Sequence, residues 1–149
     1  MSIRTLLLVS GLAFGTTAAA QASEVFIEQA GTSNVATVTQ TASAAFLMQA
    51  GLSNQATIEQ VGTGGHLVRL DQTGGSFAEV FQSGSGNRLV GLDGLVNPES
   101  WALQADASRL FLTQIGTDNS VFLDQAAGAF ARITQNGSNN TVTVIQTGP

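Results

Sequence analysis

The chain has 149 residues, a formal net charge of −5 and no cysteine. Its five basic residues are all arginines, so it lacks the basic surface with which nucleic-acid-binding proteins neutralise phosphates. Without cysteine there are no disulfides, thiolate ligands or thiol nucleophiles, and stability must come from packing and hydrogen bonding. The length allows one domain.

The first 22 residues have the pattern of an export signal. Arg4 provides a short positive region, Leu6 to Phe14 form an apolar run, and Ala20-Gln21-Ala22 resembles a cleavage site. The apolar run is too short to span a bilayer, which argues against a membrane anchor. We therefore predict a Sec signal peptide over 1–22 and a mature domain over 23–149 that is exported to the periplasm and then secreted.

A twelve-residue motif recurs along the rest of the chain, at 29–40, 49–60, 114–125 and 135–146. In each copy two glutamines stand eleven positions apart, with Gly two and Asn five positions after the first. Gly accepts positive φ and Asn tolerates the left-handed region, so the middle of the motif predicts a tight turn. The flanks alternate apolar and polar residues, which is typical of half-buried strands. The motif therefore predicts a strand, a turn and a second strand.

In chain order this pattern predicts twelve strands in six units, whose starts lie 20 to 23 residues apart. The predicted strand pairs are 24–29 with 35–40, 44–49 with 55–60, 67–72 with 77–82, 88–93 with 100–104, 109–114 with 120–125, and 130–135 with 141–146. A period of this length is typical of a solenoid, in which no single unit buries its own apolar face. The predicted fold class is all-β: a two-sheet parallel β-solenoid of six strand–turn–strand repeats, with cross-β, amyloid-forming character.

Stacking the six units aligns their strand ends in two columns. One column is predicted to hold Gln29, Gln49, Gln72, Asp93, Gln114 and Gln135, and the other Gln40, Gln60, Gln82, Gln104, Gln125 and Gln146. A buried amide both donates and accepts, so such columns are expected to form hydrogen bonds along the stack and to carry polymerisation. The predicted turn residues are Gly31, Gly51, Gly74, Gly116 and Gly137, together with Asn34, Asn54, Asn119 and Asn140. The third unit has a shorter turn, and Asp93 interrupts the column in the fourth.

The alternation within each strand sorts side chains into two faces. Counting back by twos from each glutamine gives an inward set of small, β-branched and aliphatic residues, suited to a thin core between two sheets. The outward set includes Phe26, Phe46, Phe81, Trp101, Phe111 and Phe122. These aromatics are either scattered surface residues or a contact face for bundling or for a partner.

The repeat resembles that of the curlin family, Ser-x5-Gln-x-Gly-x2-Asn-x-Ala-x3-Gln. Ser23, Gln29, Gly31, Asn34, Ala36 and Gln40 match it, as do Ser43, Gln49, Gly51, Asn54, Ala56 and Gln60. The last two units match with Val121 and Val142 in place of Ala, and with Ala129 in place of Ser, whereas the third and fourth units depart from the pattern. The resemblance implies a subunit of curli, the extracellular amyloid fibres of bacterial biofilms. It also implies a second curlin subunit, accessory chaperones and secretion through an outer-membrane pore.

Three function classes follow. The first is a secreted subunit that assembles with copies of itself into fibres on the cell surface, for biofilm matrix, adhesion and aggregation. The first predicted strand follows the predicted cleavage site directly, and the last one ends three residues before the end of the sequence. No sequence is therefore expected to remain for a cap on either end layer, and uncapped layers favour polymerisation. The second is a minor curlin that nucleates fibres at the outer membrane surface. The third is a soluble surface- or ice-binding solenoid, suggested by the threonine-rich strands.

Nothing in the sequence indicates an enzyme. His66 is the single histidine and is expected to be a solvated turn residue, and the ten acidic residues are spread along the array. We predict no catalytic residue, no cofactor, no metal and no nucleic-acid partner.

Overall fold

The computed structural model describes residues 7–9, 24–97 and 99–148, without the side chains of 7–9 and of Leu95. Two parallel sheets form a β-solenoid of about six turns, which confirms the prediction of an all-β, two-sheet parallel β-solenoid. Most of the predicted signal peptide lies outside the described residues.

The first sheet contains every other strand of the array. Its strands are β1 (Leu7–Val9), β2 (Glu24–Thr32), β4 (Ala44–Leu52), β6 (Leu67–Thr73), β8 (Arg88–Val90), β9 (Ala102–Gln104), β11 (Ser120–Gln125) and β13 (Thr141–Gln146). The second sheet contains β3 (Val35–Gln40), β5 (Gln55–Gly64), β7 (Phe77–Ser85), β10 (Arg109–Thr117) and β12 (Phe130–Ser138). A 3-10 helix, Leu92–Leu95, lies between β8 and β9.

The alternating sequence pattern gives each strand one side of mainly aliphatic residues, and this side lies between the sheets. Buried side chains follow the period of two in β3, β5 and β10, as expected where one face of a strand is covered. The predicted inward residues form one hydrophobic core, in which Leu47, Ile58, Leu70, Leu110 and Leu123 are all buried. Val25, Val142 and Val144 in the end layers are only partly buried, because no further layer of the described chain covers them.

The fourth unit differs from its prediction. Its two short strands, β8 and β9, both pair with β6 in the first sheet: Val68 lies opposite Leu89, and Leu70 opposite Ala102. They are therefore two parts of one strand level, interrupted by a loop at 91–101 that leaves the sheet and returns to it. Gly91 N donates to Ser100 O (3.3 Å) and Ser100 Oγ donates to Gly91 O (3.1 Å), so the base of this loop is closed.

This difference changes the count of the whole array. We call one strand level with the turn that follows it a half-turn. From β2 to β13 the first sheet has six strand levels, because β8 and β9 share one, and the second sheet has five. Between β2 and β13 the array therefore contains eleven half-turns, an odd number, and every unit after residue 104 begins in the opposite sheet from the units before it.

Candidate assembly interface

The glutamines at the strand ends form two hydrogen-bonded columns inside the solenoid. In the first sheet each Nε2 donates to the Oε1 of the next layer: Gln49 to Gln72 (2.9 Å), Gln72 to Gln104 (3.0 Å), Gln104 to Gln125 (3.0 Å) and Gln125 to Gln146 (2.9 Å), with Gln29 donating to Gln49 at the start. In the second sheet Gln60 donates to Gln82 (2.8 Å), Gln82 to Gln114 (2.7 Å) and Gln114 to Gln135 (2.7 Å). All these bonds point toward the C-terminal end, so the columns have a direction.

The predicted membership of the columns is wrong after residue 82. Asp93 is not a column member: it is exposed and lies in the 3-10 helix, where its carbonyl accepts from Val96 N and Asn97 N. Gln104 occupies the position assigned to Asp93, between Gln72 and Gln125. Gln114 and Gln135 accordingly belong with Gln82, and Gln125 and Gln146 belong with Gln49. The first sheet's column is therefore uninterrupted through the irregular unit.

The first link of the second sheet's column is not made. Gln40 Nε2 donates to Ser43 O (3.0 Å) and Glu24 O (3.1 Å) instead of to Gln60. As a result, the buried Oε1 of Gln60 has no hydrogen-bond partner among the described residues, and neither does that of Gln40, the first glutamine of the column. A buried acceptor without a donor costs roughly 1–3 kcal/mol. Gln40 lies on β3, the edge strand of the second sheet, so its unpaired oxygen belongs to the N-terminal end layer.

The asparagines of the turns form two further stacks, on opposite edges of the solenoid. Asn54 N and Nδ2 donate to Asn34 Oδ1 (3.0 and 3.1 Å) at the turns that lead from the first sheet to the second. Asn119 donates in the same way to Asn87 (3.1 and 3.0 Å), and Asn140 to Asn119 (3.1 and 2.9 Å), at the turns that lead back. The asparagine motif therefore changes edges between Asn54 and Asn87.

Three residues that the sequence analysis did not assign to these stacks also belong to them. Ser76 N donates to Asn54 Oδ1 (2.9 Å), so Ser76 takes the asparagine position in the shorter third turn. Asn87 precedes Asn119 in the second stack. His66 in turn precedes Asn87 there, because the backbone N of Asn87 donates to His66 Nδ1 (3.3 Å). The sequence pattern could have identified Asn87, because this residue stands five positions after Gln82 and three after Gly84, as the asparagine of the motif does.

The prediction that His66 is solvated is wrong. The side chain is buried, with Nδ1 accepting from Asn87 N and Nε2 donating to Val61 O (3.0 Å). These two contacts require the neutral imidazole. Burial lowers the pKa of His66, and the backbone hydrogen bonds at Val61 and Gly84 oppose this effect only in part.

The turn glycines permit close contact between successive layers. A Cβ added to Gly31 would lie 2.0 Å from Gly51 O, and one added to Gly116 would lie 2.0 Å from Gly137 O. Both residues also have positive φ, 108° and 114°. Gly137, in the last turn of this stack, has φ 113° but only Asn140 Nδ2 near it, at 3.5 Å. The C-terminal end layer therefore keeps open the space that a further turn would fill.

The two end layers present strand edges that pair on one side only among the described residues. At the C-terminal end these edges belong to β12 and β13, and at the N-terminal end to β3. The outer edge of β2 is partly covered by β1, which pairs with Ile27, Glu28 and Gln29 and lies in the predicted signal peptide. Unpaired N–H and C=O groups of this kind are templates for another strand.

The outer faces of the sheets carry two aromatic clusters. On the first sheet, Arg69 Cζ lies 4.3 Å from the Phe46 ring centroid and 5.8 Å from that of Trp101. On the second sheet, the Phe111 ring lies between those of Phe77 and Phe130, with distances between ring centroids of 5.4 and 5.9 Å. Phe77 and Phe111 also line a shallow groove of about 300 Å³.

Phe122 lies on the outer side of β11, as predicted, but the expectation that it is exposed to solvent is wrong. The 3-10 helix of the 91–101 loop packs on β11 and buries the Phe122 ring together with Val90, and a Cβ on Gly94 would collide with both side chains.

The described residues hold no group of three or more His, Cys, Asp or Glu side chains arranged to bind a metal ion. They also contain no helix that is long and apolar enough to cross a membrane. Comparisons with protein-family models, with curated proteins and with solved structures returned no significant match to this chain.

Proposed function

We propose that this protein is a secreted structural subunit that assembles with copies of itself into extracellular cross-β fibres, in the manner of a curlin. The observation that carries the proposal is the pair of end layers. Among the described residues, β12 and β13 at one end and β3 at the other each pair on one side only, and the glutamine columns, whose hydrogen bonds all point toward the C-terminal end, stop at these end layers. A second copy that continues both columns buries the end layers and adds one hydrogen bond per link, each contributing about 1 kcal/mol.

The partly exposed cores of the end layers support the same function. Val142 and Val144 on β13, and Val25 on β2, point inward but are only partly buried. Covering these side chains with the next copy would remove apolar surface from water at about 25 cal/mol per Å². Outward charges such as Glu59, Glu79 and Arg132 are expected to keep the sheet faces from associating laterally while the ends remain competent.

The test uses the chain expressed with its own leader and recovered after export. We expect it to form unbranched fibres that bind an amyloid dye and diffract at about 4.8 Å along the fibre axis and about 10 Å across it. A particle of constant size that neither binds the dye nor elongates added fibre fragments would contradict the proposal.

The same preparation distinguishes a nucleating role from a fibre-forming one. A nucleator would start the polymerisation of a second curlin at substoichiometric amounts while forming no long fibre of its own. For the fibre-forming subunit proposed here, we expect elongation with this chain alone.

A surface- or ice-binding role receives less support from the outer faces. Thr37 and Thr57 are in register on the second sheet, but the next residues in that row are Glu79, Phe111 and Arg132. A flat threonine array of the kind that such a role needs is therefore limited to two layers.

A further inference from the structure

The odd number of half-turns determines how a second copy must sit on the first. The solenoid ends with β12 in the second sheet and β13 in the first, so the next strand position belongs to the second sheet. When the predicted signal peptide, which includes β1, is removed on export, a new copy begins with β2 and the edge that β1 covers at Ile27–Gln29 becomes free. We propose that each added copy is rotated by half a turn about the solenoid axis, so that its β2 pairs with β12 and its β3 pairs with β13. This inference rests on the proposed fibre function and specifies its interface.

The paired strands match in length and register. Strands β12 and β2 each contain nine residues, and β13 and β3 each contain six. With Gln135 opposite Gln29 of the next copy, Gln146 falls opposite Gln40, because both pairs of glutamines are eleven positions apart. Both columns thus continue across the junction without a gap or a register shift.

The turns match as well. The turn at 136–140 has the Gly-x-x-Asn motif, and in the rotated copy the turn at 30–34, with the same motif, stacks on it. Gly31 of the next copy then fills the space left open over Gly137, as Gly137 itself covers Gly116. Asn34 N of the next copy donates to Asn140 Oδ1, as Asn140 N donates to Asn119 Oδ1 within the chain.

The rotated junction also satisfies the unpaired buried acceptor of the N-terminal layer. Gln40 Oε1 is buried and has no partner among the described residues. Gln146 Nε2 donates one hydrogen to Phe130 O (2.8 Å), and an amide nitrogen carries two. Its second hydrogen is directed to Gln40 Oε1 of the next copy, as Gln125 Nε2 donates to Gln146 Oε1 within the chain.

Charges and aromatic rings on the outer face are complementary at this junction. Arg132, exposed on β12, falls opposite Phe26 of the next copy and between Glu24 and Glu28, which share the outer face of β2 with Phe26. The chain contains an internal precedent, since Arg69 and Phe46 are register partners and the guanidinium lies on the ring at 4.3 Å.

A copy added without rotation makes a poorer junction. Its β2 would pair with β13 in the first sheet, and its β3 would then lie two strand spacings from β12, about 10 Å away. That arrangement leaves a missing strand in the second sheet and the edge of β12 unpaired. It also places the turn at 30–34 over Thr147 and Gly148, away from the asparagine stack that ends at Asn140.

Because the chain has no cysteine, pairs of introduced cysteines test the junction directly. Directly opposed residues of neighbouring strands have Cα atoms about 4.8 Å apart, within the disulfide range of about 4.4–6.8 Å. Thr39→Cys with Ile145→Cys places the thiols opposite each other only in the rotated junction. Glu28→Cys with Ile145→Cys does so only without rotation. All three positions are exposed, and 145 lies at the opposite end of the solenoid from the other two.

Fibres grown from each exported variant under reducing conditions are then oxidised and run on a non-reducing gel, with each single cysteine variant as a control. We expect a ladder of covalent multimers from the Thr39/Ile145 pair and a monomer band from the Glu28/Ile145 pair. Fibre images of the unchanged chain are expected to give a rise of about 26 Å per subunit, corresponding to five and a half layers, and not the ~29 Å of six layers.

The outcomes separate the two proposals. Fibres that cross-link through Glu28/Ile145, or through neither pair, overturn the half-turn rotation and leave the fibre function standing. Failure of the unchanged chain to form fibres overturns the proposed function and the junction with it.

Discussion

The regular half-turns and the fourth unit follow the same packing rules with different connectivity. In the regular part, 24–60, every half-turn is one strand and one turn, and each glutamine follows the last by 9 or 11 positions. In the fourth unit Gln82 and Gln104 are 22 positions apart, yet they occupy successive half-turns, because the loop at 91–101 leaves the sheet between β8 and β9. The comparison shows that the buried columns determine the register and that an insertion is accommodated outside them.

The largest expected effect breaks a regular stacked turn. Gly116→Ala places a Cβ 2.0 Å from Gly137 O at a φ of 114°, so we expect a loss of roughly 4 kcal/mol in the free energy of unfolding. Gly128→Ala is the matched control, since that glycine has φ 71° in an irregular turn with nothing within 4 Å, and about 1 kcal/mol is expected. Equal losses in the free energy of unfolding for the two variants, measured by urea denaturation, would contradict the importance of close contact between layers at this turn.

The next test compares two residues of the fourth unit itself. Gln104→Ala removes a donor from Gln125 and an acceptor from Gln72 in the buried column, and we expect a loss of about 3 kcal/mol. Asp93→Ala, in the exposed 3-10 helix, is expected to change stability by less than about 0.5 kcal/mol. A larger loss of stability for Asp93→Ala than for Gln104→Ala would indicate that Asp93 belongs to the column, and it would contradict the half-turn count.

Deleting residues 91–101 sharpens the comparison, because it converts the irregular unit into a regular one. The remaining segment, Arg88-Leu89-Val90 joined to Ala102-Leu103-Gln104, is a six-residue strand with the usual alternation, and the spacing from Gln82 to Gln104 falls to 11. We expect the variant to keep the parallel β signal in circular dichroism and to lose about 3 kcal/mol, since Val90 and Phe122 become exposed. Loss of the fold would indicate that 91–101 supplies a strand level.

The smallest expected effect concerns His66, which replaces the asparagine of the motif in one turn. His66 stands where the next layer has Asn87, and it is buried in the neutral form with its pKa lowered from an ordinary value near 6.5. As pH falls below that value, the unfolded state binds the proton first, so the folded state loses stability. We expect His66→Asn to lose less stability than the parent chain between pH 7.5 and 5.5. Parallel pH profiles for the two proteins would contradict this role.

Much of the fold follows from spacing that is visible in the sequence. The glutamine intervals and the alternation of Val, Leu and Ile give two parallel sheets, and nearly every inward residue is assigned correctly, Val68 and Leu112 among them. The Gly-x-x-Asn turns are equally local, since Gly supplies the positive φ and Asn bonds to the asparagine of the adjacent layer.

The parts that were not predicted depend on contacts distant in sequence. Asp93 precedes Gln104 by eleven positions, the same interval as in the motif, so the spacing alone could not separate a strand from a loop there. Pairing of Leu89 and Ala102 with neighbouring residues of β6 resolves it. The exposure of Phe122 and of His66 was predicted wrongly for the same reason, since the 91–101 loop covers the first and the stacked Asn87 covers the second.

The most direct test of this account is sedimentation velocity of the exported chain, measured over time with and without sheared fragments of its own fibres. We expect the monomer boundary to disappear, faster when fragments are present, because the exposed end layers of each fragment accept further copies. A monomer boundary that keeps its amplitude for days in the presence of fragments would contradict growth from the solenoid ends.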